Sequence, residues 1–194
     1  MAYRLAQEAM DRLVNLPPHT VVVCSIGEPQ DLLLMKRLVV ECPTGRAVAI
    51  VGGTGDDLLF EALRHGAVAC LPREAGRPQW LGLLRHLGSG SPWIESDLFH
   101  RPGVARQVLA HFQRMGTLPA VRPLVATLSP REEKVLQALR HGDGWGGTGP
   151  LLERLALSRE AFLLTLESVR GKLVSNTCLE ELVHLLREPS QDGL

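Results

Sequence analysis

Net charge is missing from this sequence: 21 lysines and arginines stand against 21 aspartates and glutamates. That balance excludes an overall basic field for holding nucleic acid nonspecifically, so any DNA contact has to be local. No apolar run approaches the roughly 20 residues of a membrane span. The opening MAYRLAQEAM also lacks the charged-then-apolar layout of a signal peptide. Cys24, Cys42, Cys70 and Cys178 form no CxxC pair and have no histidine at metal-ligand spacing. They read as reduced thiols in small hydrophobic roles, with no metal and no cofactor. The expectation is a cytoplasmic protein without a membrane partner. Trp80, Trp93 and Trp145 are isolated and give single strands no stacking platform. Internal repeats are absent too.

What is present is ordinary globular composition, 45% hydrophobic and 22% charged, enough for a real core. Apolar residues at helical spacing over 3–14 (Leu5, Ala6, Ala9, Met10, Leu13, Val14) predict an amphipathic helix ended by Pro17 and Pro18. Residues 20–24 (TVVVC), 46–51 (RAVAIV) and 67–71 predict strands buried on both faces. Helical patterns at 31–40, 56–65 and 79–87 alternate with them, and that alternation predicts a parallel sheet with flanking helices. A further helix is expected from Val104 to Met115, with Arg101, Arg106 and Arg114 on a solvated face. The segment LPAVRP (118–123) follows as an extended linker.

The C-terminal third is more specific. Ser129 is a good N-cap, Pro130 suits the first helical position, Glu132 and Glu133 fall in the first turn, and Leu128, Val135, Leu136 and Leu139 recur behind them. A short apolar helix at 151–155 and a longer one from Arg159 to Leu173, capped by Ser158, complete the outline of a helix-turn-helix.

Together the two halves resemble a response regulator of the LuxR/NarL type. The piece LSPREEKVLQAL resembles the opening of that family's DNA-binding domain, and Gly142, Leu155, Leu157, Ser158, Val169, Lys172 and Leu173 fall at its turn, scaffold, cap and closing positions. Upstream, RAVAIVGGTGDDLLFEALRHGAVACLPRE is similar to a receiver's fourth strand, fourth helix and fifth strand. The implied organisation is a truncated pseudo-receiver over 1–97, a linker helix and extended linker over 98–127, a helix-turn-helix domain over 128–188 and a tail over 189–194. In fold class this is an α/β domain with a parallel sheet, followed by an all-α domain.

Departures from the family's pattern shape the functional expectation. Ser25 stands at the phosphoacceptor position, Val51 at the switch Ser/Thr and Arg73 at the lysine, and the acidic metal-holding pair has no counterpart. A serine cannot replace the attacking carboxylate, so phosphorylation-independent behaviour is implied. Catalysis by Ser25 lacks a histidine base or a G-x-S-x-G elbow, and VGGTGDD lacks the lysine of a phosphate loop. No enzyme is expected.

On the helix from Arg159, family positions that usually carry cationic or polar groups hold Leu163, Leu164 and Thr165, and Glu167 adds a negative charge. Arg159 and Thr165 are left as candidates for base edges, and Arg170 and Lys172 for phosphates. The first expectation is therefore a dimeric transcriptional regulator that binds double-stranded DNA, with Leu179, Leu182, Val183 and Leu186 on the last helix as the homodimer seam. The alternative is a regulator-derived interaction protein whose exposed leucines bind a partner protein and which has lost DNA binding.

Overall fold

The computed structural model describes residues 20–41, 46–52, 55–89, 101–119, 122–141 and 148–187. The helix expected over 3–14, the glycine-rich stretch around 143–145 and the tail 189–194 lie outside the described residues. Three strands, β1 (Val21–Ile26), β2 (Arg46–Val51) and β3 (Ala69–Pro72), form a parallel sheet in the order β1-β2-β3. Val23 pairs with Val48, and Val48 with Ala69. Helices α1 (Pro29–Glu41), α2 (Asp56–Arg64) and α3 (Arg77–Ser89) follow the strands in turn, and α4 (Pro102–Gly116), α5 (Pro130–Arg140), α6 (Thr148–Leu155) and α7 (Arg159–Arg187) come after them. The chain is thus a small parallel sheet with flanking helices, followed by several further helices. None of the described helices is long and apolar enough to cross a membrane.

Side-chain alternation divides the sheet's two faces. Val48, Ala69 and Leu71 face α3 and meet its Leu83 and Leu87. Cys24, Ile26, Ala47, Ala49 and Val51 face the other way, into a core that includes Met35 of α1, Leu63 of α2 and Val108 of α4. The same core continues through Leu136 and Leu139 of α5 and Leu151 of α6 to Leu166 and Leu173 of α7.

Helix α4 is the element that makes this continuity. Val104, Ala105, Val108 and Met115 are fully buried, so the segment that reads as a connector in the sequence forms a wall shared by sheet and helices. Its arginines divide accordingly. Arg106 is exposed, whereas Arg101 approaches Asp56 (3.5 Å) and Arg114 binds Glu180 (3.0 Å).

Helix α2 ends on Gly66 at φ 98°, where Gly66 N–H donates to Leu63 and Ala67 N–H donates back to Ala62. A Cβ here would lie 2.8 Å from Val39 Cγ2. Gly66→Ala therefore adds left-handed strain and a clash with α1. A loss of about 2 kcal/mol is expected, read as a lower urea midpoint at unchanged slope.

The largest correction concerns α7. The sequence reading ends a helix at Leu173 and starts another for the 179–186 stripe, but the structure has one 29-residue helix. No glycine or proline stands between Lys172 and Arg187 to stop it. The hydroxyls of Ser175 and Thr177 donate back to the carbonyls of Gly171 (3.0 Å) and Leu173 (2.9 Å), four residues earlier, and so stay inside the helix. Asn176 reaches sideways: its Oδ1 accepts from Ala126 N–H and its Nδ2 donates to Ala126 C=O, both at 2.9 Å. That clamp ties the extended segment before α5 to the middle of α7.

Candidate functional site

The carboxyl ends of the strands, where open parallel sheets usually bind ligands, are occupied by the chain's own groups. Ser25 is exposed, and its Oγ accepts from Arg73 Nη2 at 3.4 Å. Asp31 accepts from the backbone N–H groups of Gly27 (2.8 Å) and Glu28 (3.0 Å), filling the first turn of α1. The nearby thiols are poor nucleophiles. Burial raises the pKa of Cys24 and pushes that of Cys70 up to about 12.

The corner between α5 and α7 is richer. Ser129 and Glu132 form a capping box: Glu132 N–H donates to Ser129 Oγ (3.3 Å) and Ser129 N–H to Glu132 Oε2 (2.6 Å). Glu132 is 5% exposed. Its carboxylate also accepts from Ser168 Oγ and Lys172 Nζ, each at 2.7 Å. Burial would raise its pKa, but these donors outweigh it and hold the carboxyl down at about 2.

Each residue expected to touch DNA can now be placed. Lys172 is tied to Glu132, and Arg170 to Glu167 by two hydrogen bonds, Nε at 3.2 Å and Nη2 shorter still. Thr165 is 6% exposed, and its hydroxyl donates to Ala161 C=O at 2.7 Å, so it offers no group to a base. Arg159 is exposed in the first turn, beside Ser158, whose Oγ accepts from Ala161 N–H. The four do not converge. The solvent face of this half of α7 instead carries Glu160, Leu164, Ser168, Gly171 and Ser175, with Glu167 at its edge and no cation. Leu164 is 57% exposed, while Leu163 and Phe162 pack inward.

No protein-family model matches the chain, and no curated protein matches it. Inference about function therefore rests on the geometry.

The candidate dimer residues lie farther along α7. Leu179 and Val183 are half-buried, Leu182 is 53% exposed, and the side chain of Leu186 lies outside the described residues. Between them Glu180 and Glu181, which sequence reasoning passed over, fasten α7 to the α/β unit. Glu180 accepts from Arg64 of α2 (3.3 Å) and Arg114 of α4 (3.0 Å), with His111 Nδ1 at 3.8 Å. Glu181 pairs with Lys36 of α1 and lies 3.5 Å from His65 at the C-cap of α2. His111 is 1% exposed, and its Nε2 has no partner among the described residues. Burial pushes its pKa down to about 4 against the weaker upward pull of Glu180, so it sits in the cluster as a neutral ring.

The turn from α6 into α7 places one residue under strain. Ala156 has φ 53°, Ala156 N–H donates to Glu153 C=O, and Leu157 N–H donates to Leu152 C=O. This is a Schellman ending with alanine where glycine is favoured. Ala156→Gly should stabilise the protein by about 0.5 kcal/mol, the relief of left-handed strain exceeding the added flexibility of the unfolded chain. A rise in thermal midpoint would read it.

Proposed function

We propose that this chain is a phosphorylation-independent regulatory protein whose C-terminal helices are a helix-turn-helix turned from reading DNA to binding protein. The observation that carries this is the solvent face of α7 between Glu160 and Ser175, which bears an exposed leucine, small residues and carboxylates but no cation. DNA affinity depends on phosphate neutralisation. Arg170 and Lys172, the cations best placed for it, already hold Glu167 and Glu132. Freeing Lys172 would leave a buried carboxylate unpaired, so the chain's own stability opposes phosphate contact. Ser25 at the strand ends, held by Arg73, supports independence from aspartyl phosphorylation.

Selection from a random duplex pool at low and moderate salt tests this reading. The expected result is no enriched sequence. An enriched sequence whose binding is lost in Arg159→Ala would establish the second reading, DNA binding through α7, which the exposed position of Arg159 in the first turn favours. A homodimer through the outer stripe of α7 belongs to either reading, because Leu182 is 53% exposed beside Leu179 and Val183. Leu182→Asp should convert a sedimenting dimer to monomer without lowering the thermal midpoint.

A further inference from the structure

A groove of about 300 Å³ opens where the first turns of α5 meet the corner between α6 and α7. Val135 and Leu155 form its floor, Pro130, Ala156 and Leu157 its walls, and Arg131 and Lys134 its rim. Both cations are exposed, and neither makes a hydrogen bond or ion pair among the described residues, unlike Arg170 and Lys172. The walls are fixed in place. The Ser129–Glu132 capping box sets the start of α5, and the Schellman turn at Ala156 sets the opposite side.

We propose that this groove takes an acidic segment of a partner protein, with an apolar side chain seated against Ala156 and Leu157 and flanking carboxylates at Arg131 and Lys134. The inference rests on the protein-binding reading of the helical unit and adds the chemistry of its partner. Charge complementarity selects an anionic partner, since two open cations at a rim attract carboxylates and speed their encounter. The apolar lining selects a peptide over nucleic acid, because a phosphate backbone has no hydrocarbon side chain to fill the space and would leave Leu157 uncovered. The volume lies at the lower limit of small-molecule pockets and is enough for a side chain or two.

The test uses the full chain and a fluorescein-labelled peptide, Asp-Leu-Asp-Leu-Asp-Leu, followed by anisotropy at low salt, with circular dichroism verifying that each variant is folded. Saturable binding is expected, weakened about tenfold by Arg131→Glu with Lys134→Glu, and less by the two alanine substitutions. The matching Lys-Leu peptide should not bind. Failure of the acidic peptide to bind, or equal affinity in the charge-reversed variant, overturns the proposal. Binding that survives charge reversal but is lost in Leu164→Asp moves the peptide to the solvent face of α7, so the groove falls while the protein-binding reading stands. Duplex DNA that displaces the peptide, and itself loses affinity in the charge-reversed variant, overturns both.

Discussion

Lys172→Met is expected to lower the unfolding free energy by about 3 kcal/mol at neutral pH, far more than a surface lysine contributes. The substitution removes the amine that lies 2.7 Å from Glu132 and leaves a carboxylate that is 5% exposed facing only Ser129 and Ser168. Breaking such a pair from one side strands a buried charge, which typically costs about 3–5 kcal/mol. The lower end applies because the Lys172 side chain keeps 29% of its own exposure. Restoring neutrality with Glu132→Gln in the same chain should recover most of the loss.

The pH profile sharpens this prediction. In the wild type the Glu132 carboxyl is held down at about 2, below its ordinary value of 4.5. A depressed carboxyl contributes stability that is fully present above the unfolded value and lost as pH falls through the folded one, so unfolding should become easier between about pH 4.5 and 2. In Lys172→Met one of the lowering donors is gone while Ser129 and Ser168 still donate, so the downward shift of the carboxyl shrinks. That variant should lose less of its remaining stability than the wild type does between about pH 4.5 and 2, which a merely looser fold would not do. Urea titrations of both proteins at stepped pH measure the difference.

Glu180→Arg should cost about 3 kcal/mol and act in one place. The new guanidinium would stand among Arg64, Arg114 and buried His111, replacing attraction by repulsion where Arg64 is 16% exposed. Helix α7 would then lose its fastening to α2 and α4 over its last three turns. Its first half, clamped by Asn176 to Ala126 and by Lys172 to Glu132, would stay in place. Amide exchange should quicken beyond Asn176 and remain slow in α5 and in α7 before Gly171. Uniform acceleration along the whole helix would show that Glu180 is not the fastening.

Much of this architecture is legible in the residues. Strand β2 was marked by the apolar run AVAIV after Arg46, because a strand with helices on both sides has no face left for polar groups. The start of α5 was marked by Ser129 and Pro130, and the S-x-x-E spacing to Glu132 also held the capping box, although periodicity gives no hint that this glutamate would be buried. What sequence reading could not supply was partnership across distance. Lys172 and Glu132 are 40 positions apart and Arg64 and Glu180 are 116 apart, so nothing local marks these charges as internal clasps. The same limit explains the division of α7 at Leu173. The run Ser175-Asn176-Thr177 has low helix propensity and reads as a break, yet tertiary packing and the clamp on Ala126 keep it helical. Thr165 looked like a base contact because its place in the helix was right, while burial depends on which face the core takes.

The central claim is that α7 does not grip DNA because Arg170 and Lys172, the cations best placed for phosphates, already hold Glu167 and Glu132. The measurement that tests it most directly is the affinity for random-sequence duplex DNA as a function of salt concentration. Each phosphate neutralised contributes about −0.9 to the slope of log affinity against log salt. The account predicts weak binding with a slope near −1 to −2 that does not change in Arg159→Ala. A slope steeper than about −5, made shallower by Arg159→Ala, would contradict it and return α7 to the DNA groove.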